Sequence, residues 1–344
     1  MSAARNPRPV YIGVIGCGQW GPNHIRNFNG QPGCRVLLCA DIDRERLGRM
    51  KGLHPQTRGT PDYREIIDHP YLDAVVVATP TGTHHRIVSE ALAAGKDVLV
   101  EKPLADSLER ARALEGIARR RKRILMVGHT FLFNSGIRRL KEYLRAGTLG
   151  RVYSLNATRT NLGPIRNDVS ATWDLASHDI SIFNYLLGAQ PRSVSAAGER
   201  FVQKGLEDVA FITLSYPKKV LANIHVSWLN PRKVREITIV GASSMIVWDD
   251  LDGAGPIRIY DKKVVRQGDY RSFGEFQLLI KEGDLTMPRV ELIEPLRAQA
   301  EHFLECVRRR RQPLSNGRTG VEVVRVLAAI DRSMRKNGAP VAIG

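Results

Sequence analysis

Residues 10–15, Val10-Tyr-Ile-Gly-Val-Ile15, are an apolar run that passes directly into Gly16-Cys17-Gly18-Gln19-Trp20-Gly21, and no other feature restricts the fold as much. Glycines between a strand and a helix allow a tight turn, close approach of backbone to a ligand, and tight helix–strand packing. The first turn of such a helix offers free N–H groups to an anion. The same alternation then continues. Segments 35–40, 73–78, 96–100 and 124–127 read as strands, and 19–30, 43–53, 83–94 and 107–120 as helices. Strands that are apolar throughout and separated by helices predict a parallel sheet covered on both faces. The fold class is therefore α/β, with a doubly wound Rossmann domain over 1–128.

Beyond about residue 150 the rhythm changes. Segments 151–160, 193–199, 209–216, 220–228, 235–248 and 257–265 read as strands with partial alternation, such as Ala210-Phe-Ile-Thr-Leu-Ser215. A helix is predicted over 173–187, closed by Gly188 at its C-terminal cap, and two more over 294–311 and 319–336. This predicts an α+β domain over 129–344 with a large open mixed or antiparallel sheet, its C-terminal helix free to pack back on the first domain. The 344 residues suit two domains of ordinary size.

Lys and Arg total 52 against 35 Asp and Glu, a net charge of +17, with basic runs at 119–123 and 308–311. Three readings fit such runs: solvated helix ends, a nucleic-acid surface, or a field that draws in an anionic small substrate. Aromatic residues are 6% of the chain and none interleave with the runs. No stacking platform is suggested, so no nucleic-acid partner is expected. No apolar stretch approaches the length of a spanning helix, so no membrane partner is expected either. The opening residues 1–9 read as a short polar leader. Cys17, Cys34, Cys39 and Cys306 show no metal spacing, so no metal and reduced thiols are expected, in keeping with a cytoplasmic location.

Asp41 closes the second strand, 25 positions after Gly16, where a carboxylate can bond the ribose hydroxyls of a dinucleotide. It would repel a 2′-phosphate, which favours NAD over NADP, although Arg44 lies nearby. The third and fourth strands end in Ala78-Thr79-Pro80 with His84, and in Glu101-Lys102-Pro103. Ligands bind at the carboxyl ends of such strands. With Asp174-Leu-Ala-Ser-His178, these motifs make the chain resemble the Gfo/Idh/MocA oxidoreductase family over nearly its whole length. The resemblance implies an NAD-binding first domain, a second domain bearing an open sheet, and homodimers or homotetramers. It implies that Lys102 stabilises the oxygen of a reacting hydroxyl, that His178 takes its proton, and that Asp174 orients His178. Gly16, Cys17, Gly18, Gln19, Trp20, Gly21, Asp41, Thr79, Pro80, His84, Glu101 and Lys102 would line the cofactor, with His84 and His129 alternatively simply packed.

Where many family members carry Arg-Phe-x-Pro, this chain has Phe131-Leu-Phe-Asn-Ser135. The segment 159–168 contributes Arg159, Asn161 and Arg166, whose forks either grip a phosphate or pin a long loop through ion pairs. With Trp173 and His178, these residues resemble the family branch that acts on nucleotide sugars. That branch implies oxidation of the C3 hydroxyl of a sugar such as UDP-N-acetylglucosamine by NAD, ahead of an aminotransferase partner, with Arg159, Arg166 or residues around Arg232 at the diphosphate. The alternatives are a dehydrogenase of a free polyol or sugar such as an inositol, and an NAD-dependent sensor without catalysis.

Overall fold

The computed structural model describes residues 8–266 and 278–344; residues 1–7 of the polar leader lie outside the described residues. In chain order the elements are β1 (Val10–Ile15), α1 (Gly21–Asn29), β2 (Cys34–Ala40), α2 (Arg44–Leu53), β3 (Arg58–Thr60), α3 (Arg64–Ile67), β4 (Ala74–Val77), α4 (Thr81–Ala93), β5 (Asp97–Val100), α5 (Leu108–Arg120) and β6 (Leu125–Val127). They continue with α6 (Ser135–Arg145), β7 (Val152–Leu162), α7 (Ser177–Leu187), β8 (Ser193–Glu199), β9 (Val209–Tyr216), β10 (Val220–Ser227), β11 (Leu229–Gly241) and β12 (Met245–Asp249). The last are β13 (Ile257–Arg266), β14 (Leu278–Thr286), α8 (Pro295–Arg309), α9 (Gly317–Arg335) and β15 (Val341–Ala342). Two compact units emerge. The first holds Met1–Phe133 and Ile293–Arg325, and the second Asn134–Leu292 and Val326–Gly344.

The first unit contains a six-stranded sheet in the order β3-β2-β1-β4-β5-β6, parallel throughout. Every residue of β4 and β5 is buried, as expected of strands covered on both faces. The order reverses beside β1, so the carboxyl ends of β1 and β4 flank the crevice where open α/β sheets hold ligands. β3 has no counterpart among the sequence-predicted strands. Its Arg58-Gly-Thr60 carries no apolar run, and it exists because Leu38–Ala40 supply the hydrogen bonds of a sheet edge.

The second unit contains nine strands in the order β14-β13-β12-β11-β7-β10-β9-β8-β15, antiparallel except for the β7–β10 pair. It is the mixed open sheet that the alternation predicted. In β9, Ala210, Ile212, Leu214 and Tyr216 are buried while Phe211 on the other face is 55% exposed. The single strand expected over 235–248 is two, β11 and β12. Gly241 starts the turn between them; a Cβ there would lie 2.2 Å from the Leu149 carbonyl oxygen. The helix expected over 173–187 also divides. Thr172–Ala176 wind as a π-helix and only Ser177–Leu187 are α-helical, ending at Gly188 with φ +62°.

Among the described residues no helix is long and apolar enough to cross a membrane. All four cysteines are buried and unbridged.

Candidate functional site

The glycine turn shows on its own atoms why it is built of glycine. At Gly16, where φ is +96°, a Cβ would sit 2.6 Å from the Ala78 carbonyl oxygen; at Gly21 it would sit 2.0 Å from the Gly16 carbonyl oxygen. Side chains there would push β1, α1 and the end of β4 apart. Over Gly18 the space is open, with only Arg46 Nη1 at 3.7 Å. Helix α1 starts behind Trp20 with no side-chain cap, so its first N–H groups stay available to an anion. Gln19 and Trp20 form the outer wall of the turn, and Trp20 is 41% exposed. These residues fit a dinucleotide.

Asp41 is 9% exposed and holds the turn from the side. Its Oδ2 accepts the Cys17 backbone N–H at 2.7 Å and its Oδ1 that of Asp43 at 2.9 Å. The cation beside it is Arg46, at 3.6 Å, rather than the Arg44 that the sequence reading weighed. Cys17 therefore contributes its amide to the turn, while its thiol faces the Ala40 carbonyl.

Thr79 and Pro80 lead from β4 into α4. Thr79 accepts a hydrogen bond from the Thr83 hydroxyl at 2.7 Å. His84 is 1% exposed, with Nε2 2.9 Å from the Thr79 carbonyl and Nδ1 2.9 Å from that of Pro103. A neutral ring donates to one of these at a time, an imidazolium to both. Either way His84 ties the turn after β4 to the turn after β5.

That second turn is Glu101-Lys102-Pro103, with Glu101 and Lys102 each 8% exposed and the Lys102–Pro103 peptide cis. Glu101 Oε1 lies 2.8 Å from His24 Nε2, and Oε2 accepts the Lys102 backbone N–H at 3.3 Å. Burial pushes the Glu101 carboxyl up, but the His24 bond and charge, the Lys102 ammonium and the Lys102 amide outweigh it, and the group stays below its usual range. Gly128 leaves room for that carboxylate, since a Cβ there would come within 3.1 Å of Oε2. Sequence reasoning missed His24 and Gly128. The available signal was position: His24 follows Gly21 by three residues, one turn into α1.

His129 is 1% exposed and, among the described residues, neither ring nitrogen has a hydrogen-bond partner. Burial, then the nearby Lys102 ammonium, push it down to about 4. The folded state thus holds the neutral ring, while an unfolded chain takes up a proton near pH 6.5. Stability from this group is complete above pH 6.5 and is lost as pH falls toward 4. His129→Phe is expected to remove about 2 kcal/mol of the destabilisation seen between pH 7.5 and pH 5. Urea midpoints at both pH values check this; equal acid losses in both proteins would contradict it.

In the second unit Asp174 lies in the π-helix and His178, half-buried, in the first turn of α7. The spacing of four residues therefore spans a π winding and the first turn of α7 rather than one continuous α-helix. Such windings are frequent at functional sites. The Asp174 carboxylate accepts Arg166 Nη1 at 2.9 Å.

The residues expected at a substrate diphosphate have other duties. Arg159 belongs to β7, within the strand expected over 151–160, and is 3% exposed, its Nε and Nη2 donating to Asp179 at 2.9 and 2.8 Å. Arg166 donates to both oxygens of Asp168, at 2.8 and 2.7 Å, besides Asp174. The Asn161 side chain donates to the Gly163 carbonyl. Trp173 Nε1 donates to both oxygens of Asp331, at 3.1 and 3.0 Å; burial pushes that carboxyl up to about 6. Arg232 is exposed in an irregular stretch of β11 between Leu229 and Val234. Asn134 caps α6 by accepting the Gly136 N–H at 2.8 Å and donates to Asp250 at 2.9 Å.

Residues 10–129 match the model described as "Oxidoreductase family, NAD-binding Rossmann fold", and residues 137–247 match that of the GFO/IDH/MocA C-terminal domain. The inositol 2-dehydrogenase/D-chiro-inositol 3-dehydrogenase of Lacticaseibacillus casei is 30% identical over 72% of this chain and 74% of its own. The scyllo-inositol 2-dehydrogenase (NAD(+)) of Bacillus subtilis is 26% identical over 97% of this chain and 96% of its own. Two further curated relatives are matched over 67% and 66% of their own length. Among solved structures, the WlbA dehydrogenase from Bordetella pertussis, in complex with NADH and UDP-GlcNAcA, superposes with a TM-score of 0.79 at 21% identity, covering 98% of this chain and 99% of that one, a likeness of fold. A glycine turn that only glycine fits, the buried Glu-Lys-Pro turn and both matching domains lead to one assignment: the chain belongs to the Gfo/Idh/MocA family of oxidoreductases, and its first unit is an NAD-binding Rossmann domain.

Proposed function

We propose that this protein oxidises a ring hydroxyl of an uncharged cyclic polyol or free sugar, of the inositol class, with NAD. The nucleotide sugar suggested by the sequence is the weaker reading. One observation carries this choice: the arginines expected at a diphosphate are already met by carboxylates, Arg159 by Asp179 and Arg166 by Asp168 and Asp174. A diphosphate would have to displace those carboxylates, and in the case of Asp179 leave a buried charge unpaired. An uncharged polyol asks only for hydrogen bonds. The inositol dehydrogenases among the relatives support the same substrate class.

In this reading Lys102 donates to the substrate hydroxyl oxygen and stabilises it as negative charge develops. Glu101, held by His24, positions Lys102. An imidazole nitrogen of His178 takes the hydroxyl proton while the carbinol carbon gives up hydride and becomes a carbonyl. Asp174 stabilises the ring once it is charged. NAD+, when bound, supplies the hydride acceptor. Asp41 favours NAD over NADP, because its carboxylate repels a 2′-phosphate.

A substrate panel with NAD+ and NADP+ tests this. Reduction of NAD+ is expected with free inositols or aldoses and not with UDP-sugars. Turnover confined to UDP-N-acetylglucosamine or related sugars would overturn the proposal. Tight NAD+ binding with no turnover on any alcohol would favour a sensor.

A further inference from the structure

The two basic runs singled out in the sequence, nearly 190 residues apart, meet in the first unit around one cavity of about 650 Å³. Its walls include Arg119, Lys122 and Arg123 from the end of α5, Arg310 from the end of α8, and Arg318 from the first turn of α9. The volume is that of a small-molecule site. Its place is not that of the cofactor crevice. Ile124 and Leu125 line it at the start of β6, and Arg310 pairs with Asp97 at the start of β5, so it lies at the amino ends of the strands. The glycine turn and Glu101-Lys102 lie at the carboxyl ends.

Solvated helix ends do not account for this cluster. A helix C-terminus is equivalent to roughly half a negative charge, which one cation already offsets. The carboxylates within reach are few: Glu115 stands 4.0 Å from Arg119, Asp97 pairs with Arg310, and Glu322 stands 3.3 Å from Arg318. Among the described residues no carboxylate comes within ion-pair distance of Lys122 or Arg123, and the buried Nε of Arg123 has no hydrogen-bond partner. The start of α9 adds the positive end of a 19-residue helix to the same wall. Cations in excess, an orphaned guanidinium nitrogen and a helix N-terminus are the donor set that recognises phosphate.

We propose that this cavity is a second binding site, separate from the dinucleotide crevice, for a small molecule carrying two or more adjacent phosphate groups. The source of the phosphates is either a nucleotide or an inorganic oligophosphate, which share this chemistry.

Calorimetric titration of the NAD+-saturated enzyme at physiological ionic strength tests it, with inorganic tripolyphosphate and ATP as probes. NAD+ saturation keeps the probes out of the crevice. One equivalent of probe is expected to bind. The triple variant Arg119→Ala/Lys122→Ala/Arg318→Ala, all exposed side chains, is expected to bind at least about tenfold more weakly, with melting temperature and turnover unchanged. A control losing the same three charges elsewhere, Arg49→Ala/Lys51→Ala/Arg145→Ala, is expected to bind within about twofold of the wild type. Equal affinity for both probes assigns recognition to the phosphates alone, and tighter ATP binding assigns a nucleotide. No binding of either probe, equal loss in the control, or binding of duplex DNA without binding of tripolyphosphate would overturn the proposal.

Discussion

Lys102→Ala is expected to lower turnover by about 10²–10⁴-fold, the range for a positioned group that stabilises charge or moves a proton in the transition state. That corresponds to about 3–5 kcal/mol of barrier. The dissociation constant for NAD+ is expected to stay within a few-fold of the wild type, because the turn at Gly16–Gly21 and its Asp41 brace do not involve the Lys102 side chain. Lys102→Arg is not expected to rescue. The Lys102 side chain is largely buried near the Glu101 carboxylate, and a planar guanidinium fork does not reproduce the compact point charge of an ammonium there. Parallel measurement of kcat and of NAD+ binding by calorimetry checks this. Unchanged turnover would remove Lys102 from the chemistry; lost turnover together with lost NAD+ binding would make it a cofactor residue instead.

The second large effect concerns stability. Arg159→Ala is expected to destabilise the protein by about 3–5 kcal/mol, because it strands the Asp179 carboxylate, 1% exposed, without its counter-ion. Removing both charges together, as Arg159→Met with Asp179→Leu, is expected to recover most of that loss. Denaturant unfolding of the two single variants and the double gives the coupling directly. This experiment also bears on the substrate. If Arg159→Ala keeps full stability but raises the KM of a UDP-sugar, the arginine binds diphosphate and the polyol reading loses its main support.

Much of the first unit was legible because its determinants are local. Unbroken apolar strands, a glycine turn after the first of them and helices between are properties of consecutive residues. What escaped the sequence depends on distant partners. β3 has no pattern of its own and is a strand only because β2 offers its edge. Helix α6 and strand β14 were likewise absent from the sequence reading. The end of one expected strand at Gly241 is set by the backbone of Leu149, over ninety residues earlier.

The candidate site divides the same way. The glycines, Asp41, the Glu-Lys-Pro turn and the Asp174–His178 spacing could all be named from motifs. The fate of Arg159 could not, since phosphate contact and ion pair look identical until a buried carboxylate 20 residues away is seen to face it. His24 was missed for the same reason: its partner Glu101 lies 77 residues away.

The most direct test of the central claim is isotopic. The enzyme is supplied with NAD+ and an inositol carrying deuterium on its ring carbons, and the reduced cofactor is analysed by mass spectrometry. The account predicts deuterium in the NADH and a slower rate than with the unlabelled inositol, with Lys102→Ala forming the same labelled NADH about 10²–10⁴-fold more slowly. Absence of label in any reduced cofactor, or label arriving only from a deuterated nucleotide sugar, would contradict it.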